Sequence, residues 1–168
     1  QFVATDARFT GVEAELLFHL LENDHQRLHL ELSGDSVRAR QTSNDEPLPR
    51  IPPVRLGARL NYEDGRWHAT AELRRTERQN RFAPSEGPTP GHTQLHASVS
   101  YLMPLPRITC EVFLRGRNLT NVAAREHPSW IKDFAPQAGR GVLGGVRLTF
   151  CGRRPPVRRY SSPKTAFA

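Results

Sequence analysis

No stretch of this sequence approaches the roughly 20 consecutive apolar residues that a membrane-spanning helix needs. Mean hydropathy is −0.59, but that value leaves a membrane barrel open, because a strand apolar on one side only never averages high. Cysteine is scarce. Cys110 and Cys151 are the only two in 168 residues, and they have no partner pattern, so neither a disulfide framework nor a thiolate metal site is expected. The first ten residues lack the basic start, apolar centre and small-residue cleavage site of a secretory signal. The chain opens on Gln1 and reads as a piece of something longer. Catalytic signatures are also missing: there is no nucleophile elbow, phosphate loop or metalloprotease helix. Ser, His and Asp all occur, but without a spacing that predicts a triad, so no enzymatic activity is expected.

Acidic residues are absent from the last 18 positions, and this skews the charge. The chain carries 24 basic and 17 acidic residues, a net charge of +7, with a pI near 10.4. Such a balance suggests a nucleic-acid partner. However, Arg153, Arg154, Arg158, Arg159 and Lys164 all lie in residues 151–168. Without that tail the net charge falls to +2. The tail is rich in Pro and Arg, has no strand pattern and is expected to be disordered. Phosphate binding would belong to the tail and not to the body.

What the sequence does have is period-two alternation, the mark of a strand with two unlike sides. In Gly141–Phe150, Val142, Gly144, Val146, Leu148 and Phe150 fall on one face, with Gly145, Arg147 and Thr149 on the other. The pattern recurs upstream. Val12, Ala14, Leu16, Phe18 and Leu20 oppose Glu13, Glu15 and His19. Leu28, Leu30 and Leu32 oppose Arg27, His29 and Glu31. At Ser33-Gly34-Asp35 the phase slips toward Val37 and Ala39, which predicts a β-bulge there. Val54, Leu56, Ala58, Leu60 and Tyr62 alternate with Arg55, Gly57, Arg59 and Asn61. Asp64-Gly65 then signals a hairpin into Trp67, Ala69, Ala71 and Leu73. Leu95–Met103 and Ile108–Arg117 make the fifth and sixth strands.

Connections alternate between short (22–26, 63–66, 104–106) and long (43–53, 82–91, 118–140). Transmembrane barrels have short periplasmic turns, longer outer loops, a lipid-facing apolar band and a polar interior. Tyr62, Trp67, Tyr101 and Phe150 fall near the short-turn end, as an interfacial aromatic girdle would. A soluble antiparallel sheet, serving as an interaction module, would also alternate but need not show the loop asymmetry. The residues alone favour the barrel and leave the soluble sheet open.

The run from Arg117 adds a resemblance. N-L-T-N at 118–121, A-R-E-H at 124–127, K-D-F-A-P-Q at 132–137, G-R at 139–140 and the last strand ending at Phe150 resemble the C-terminal end of TonB-dependent outer-membrane receptors. P-L-P-R-I-P-P at 47–53 resembles that barrel too, and the spelling is nearest the branch that includes zinc-uptake receptors. The resemblance covers about residues 7–150. It implies an all-β fold, an antiparallel transmembrane barrel of about 22 strands of which residues 1–150 supply about seven. It also implies import of a scarce nutrient across a Gram-negative outer membrane, with zinc or another metal as cargo and no resident cofactor. The implied partners are outer-membrane lipid, the TonB system acting through a plug domain encoded upstream, and the barrel-assembly machinery, which would recognise Phe150. No nucleic acid is expected. The sequence departs from the family by continuing past Phe150.

Candidate site residues follow from the faces. Glu13, Glu15, Arg55, Arg59, Glu72, Arg74, Glu111, Arg115 and Arg147 lie on the non-apolar side and are expected to face the lumen, paired across strands. Among the seven histidines, His92, His96 and His127 are candidates for contact with a metal, because His92 and His127 sit at the edges of long loops and His96 lies below His92. No histidine spacing together with a nearby carboxylate meets the usual ligand geometry.

Overall fold

A computed structural model describes residues 6–150. The tail at 151–168, with its expected disorder, lies outside the described residues. Seven strands follow one another: β1 (Ala7–Glu22), β2 (Gln26–Gln41), β3 (Arg55–Asp64), β4 (Trp67–Thr76), β5 (His92–Pro104), β6 (Ile108–Arg117) and β7 (Gly141–Phe150). They form one sheet in chain order, each strand antiparallel to the next. No helix occurs among the described residues.

The alternation dictates what the register shows. Leu60 lies opposite Leu30 on one side and Ala71 on the other, and Ala71 in turn faces Ala97. One face is therefore aliphatic across the sheet, and nothing among the described residues covers it. Val12, Leu16, Leu73, Leu114, Val142, Val146 and Leu148 are all exposed, while among the described residues the buried apolar side chains reduce to Ala39, Pro53, Ala83 and Ala124. A water-soluble sandwich needs a second layer on that face. An apolar surface of this extent is stable only against another apolar phase.

Strand length fits a bilayer. β3, β4, β6 and β7 have 10 residues each. At about 3.4 Å per residue and a tilt near 45°, such a strand crosses about 24 Å of hydrocarbon. At the short-turn end, the Trp67 and Tyr101 rings pack with centroids 4.7 Å apart, and Phe150 pairs with Ile108. These aromatics share the aliphatic face, where headgroups would begin.

β1 and β2 are longer, 16 residues each. β3 pairs with β2 only as far as Asp35, so the β1–β2 ribbon continues beyond the sheet. This corrects the bulge expected at Ser33-Gly34-Asp35. The ladder passes through those residues unbroken, pairing them with Glu15, Ala14 and Glu13. The apolar phase changes there because the surroundings change. Beyond Val12 the outer face carries Arg8, Thr10, Arg38 and Arg40. The inner face holds Ala39, which is buried under the loop that returns through the Leu48 N–H to Ala39 O bond. The bulge in this hairpin lies instead in β1, between His19 and Leu21.

Candidate functional site

The charged face is the first element of the site. The expected lumen residues share it, and register explains their contacts. Arg55 sits opposite Asp35 and donates to both carboxylate oxygens, from Nε at 2.9 and 3.1 Å. Arg59, between Glu31 and Glu72 in neighbouring strands, reaches them at 3.4 and 3.2 Å. Arg74 also binds Glu72, and Arg147 pairs with Glu111 across β6–β7 at 2.9 Å. Each exposed pair contributes at most about 1 kcal/mol, so the ladder sets register and polarity more than stability. Arg115 has its guanidinium 5.1 Å from the Phe113 ring centroid. Glu13 and Glu15, on the edge strand, oppose Asp35 and Ser33 and form no ion pair among the described residues.

The three long loops form the second element. They fold over one end of the charged face around a buried polar cluster. His127 is 1% exposed. Its Nδ1 lies 2.8 Å from Thr89 Oγ1 and 3.1 Å from Lys132 Nζ. The ammonium can only donate, so Nδ1 accepts and the proton resides on Nε2. Glu86 Oε2 is 3.4 Å from that Nε2, too poorly aligned to bond it. Burial pushes the His127 pKa down, the Lys132 charge adds to this, and Glu86 opposes it. Lys132 also donates to Gly87 O at 2.9 Å. Glu86 accepts from the Arg50 backbone N–H at 3.0 Å, and the Arg50 guanidinium sits 3.1 Å over the Trp130 ring. All three loops are tied together through this cluster.

The motif residues of the third loop acquire a physical role. Asn118 and Asn121 both adopt left-handed backbone, φ 46° and 53°, a region where Asn is favoured. The Asn118 amide donates to Val122 O at 2.9 Å and Ala138 O at 3.1 Å. Asn121 Oδ1 accepts from the Arg140 N–H at 3.0 Å. The N-L-T-N and G-R segments therefore clamp the two ends of one loop together.

His92 and His127, expected where an outside ligand would first touch, are both buried. His92 Nε2 is 3.9 Å from Glu126, and its Nδ1 has no partner among the described residues. His96 Nδ1 accepts from the Asn118 N–H at 3.4 Å. These three rings do not converge. The convergent group among the described residues is His19, Glu22 and His29 in the β1–β2 hairpin, with ligand atoms all within 4.8 Å of one another.

A family model described as TonB dependent receptor-like, beta-barrel, matches residues 1–119. The chain belongs to the TonB-dependent receptor β-barrel family. No curated protein matches it. Among solved structures, the copper transporter OprC matches with a TM-score of 0.69 and 24% identity over 84% of this chain. At that identity the match shows the fold. The chain spans 23% of that transporter. A soluble sheet is not supported by these findings, nor is a nucleic-acid binder, and nothing singles out the zinc branch within the family.

Proposed function

We propose that this receptor-family chain is the C-terminal part of a TonB-dependent barrel, about 22 strands in all, in a Gram-negative outer membrane. Its work there is uptake of a scarce nutrient, a metal ion or a metal chelate. The observation that carries this reading is the division of one sheet into an uncovered aliphatic face and a face of cross-strand ion pairs. Lipid takes the first face and the polar lumen the second. The long loops then lie outside the cell and the short turns in the periplasm. Phe150, at the end of the last strand, serves recognition by the assembly machinery. Energy arrives through TonB acting on a plug domain. Residues 1–150 belong to the barrel, and 151–168 are a separate basic tail.

Partitioning tests the reading. The full chain, exported to the periplasm, is expected in the outer-membrane fraction and to require detergent for extraction. Recovery as a monodisperse soluble monomer would reject it. A neighbouring pair tests the faces. Leu60→Arg places a charge against lipid, at a cost of about 2–4 kcal/mol near the midplane, and should abolish insertion. Arg59→Leu should leave insertion largely intact. Equal damage at both positions would mean that the faces are exchanged.

A further inference from the structure

The hairpin cluster is built by the β1 bulge. Without an extra residue, side chains three apart in a strand point to opposite faces. Leu20 is the extra residue here, since His19 pairs with His29 while Leu21 already pairs with Leu28. Glu22 is thereby turned onto the charged face beside His19, as bulges commonly re-aim side chains. His19 Nδ1 lies 2.8 Å from Glu22 Oε2. The rings of His19 and His29, direct cross-strand partners, have centroids 4.5 Å apart. Arg27 faces Glu22 across the hairpin but reaches Glu63 at 3.3 Å, which leaves the Glu22 carboxylate to His19. His29 Nε2 is buried without a hydrogen-bond partner among the described residues, so that ring is not fully committed to the contacts seen there.

We propose that this hairpin binds a divalent transition-metal ion of the zinc type through one ring nitrogen each of His19 and His29 and a carboxylate oxygen of Glu22. Two imidazoles and a carboxylate form a recognised zinc ligand set, with water in the fourth position. Zinc–ligand bonds of about 2.0–2.2 Å put tetrahedral ligand atoms about 3.3 Å apart. The three side chains, already within 4.8 Å of one another, reach that spacing by rotamer adjustment on a fixed ladder. Nitrogen donors select against Mg²⁺ and Ca²⁺, which take oxygen. The inference goes beyond the uptake reading and does not depend on which nutrient the barrel imports.

The test is a calorimetric Zn²⁺ titration of the full chain refolded in detergent micelles, with Co²⁺ absorbance reporting coordination geometry. One ion per chain is expected, with no response to Mg²⁺. His19→Ala, His29→Ala and Glu22→Gln should each weaken binding by about tenfold or more. His68→Ala, on the same face one strand pair away, should bind like the parent chain. Glu22→Gln keeps the shape and the contact to His19, so it decides the matter if the alanine variants do not refold. Binding unchanged by Glu22→Gln, or lost equally with His68→Ala, would overturn the site. So would a parent chain that binds no Zn²⁺. A chain that binds Zn²⁺ in this way but stays water-soluble would uphold the metal site while rejecting the transporter.

Discussion

At the long-loop end of the sheet, the His127 ring is enclosed by Thr89, Lys132 and Glu86, and His92 is buried beside Glu126. At the short-turn end, the His19 side chain is 51% exposed and its one hydrogen-bond partner, Glu22, is 57% exposed. The same residue type therefore meets two physical situations. A ring whose Nδ1 is engaged by both an ammonium and a hydroxyl is part of the packing, and binding an ion at that nitrogen would first break those bonds. A ring held by its strand, packed against its cross-strand histidine and bonded to an exposed carboxylate, can exchange that bond for a metal. Burial alone would have ranked the two ends in the opposite order.

The sharpest way to test the loop end as a packed unit is Asn118. Its side chain is 2% exposed and bonds both Val122 and Ala138. Its backbone is left-handed. Asn118→Ala loses those bonds and strains the backbone, so a destabilisation of about 2–4 kcal/mol is expected. Asn118→Gly keeps the backbone and should cost about half as much. Urea midpoints of the refolded chain read the difference. Equal losses in the two variants would remove backbone strain from the account.

A smaller effect should separate the two ends by pH. The folded-state pKa of His127 is pushed below its ordinary value near 6.5. Its contribution is thus fully present above about pH 6.5, where the ring is neutral in both states. It is lost as pH falls toward the depressed folded value, because the unfolded chain takes up a proton first. After correction for the intrinsic pH dependence of exchange, amide protection in 86–89 and 126–132 should therefore be weaker at pH 5 than at pH 7.5, and protection in 23–26 at the short turn should change less. His127→Phe should abolish the pH response of the loops. A response that survives this substitution would move the origin to another group.

Most of the sheet was legible in the sequence because its determinants are local. Alternation along each strand marks the aliphatic and charged faces, and turn residues such as Asp64-Gly65 mark the short connections. The motif at 118–140 was legible as a spelling, but its clamping role depends on contacts between Asn118 and Ala138 and between Asn121 and Arg140. The burial of His127 was hidden for the same reason, since Thr89 is 38 residues away. The hairpin cluster needed two facts that no spacing carries. One is the register that places His19 opposite His29. The other is the bulge at Leu20, which the phase slip at Ser33-Gly34-Asp35 wrongly drew to β2.

The smallest expected effect bears most directly on the contrast between the ends. Without metal, the His19→Ala/His29→Ala double variant removes one exposed hydrogen bond and one tilted ring contact. Surface changes of this kind usually alter stability by no more than about 0.5 kcal/mol. The urea midpoint in the presence of a chelator should hardly move. With saturating Zn²⁺, the parent chain should gain stability by mass action and the double variant should not. A loss of about 2 kcal/mol in the chelated chain would show that His19 and His29 are packing residues like those beneath the loops, and the distinction between the two ends would disappear.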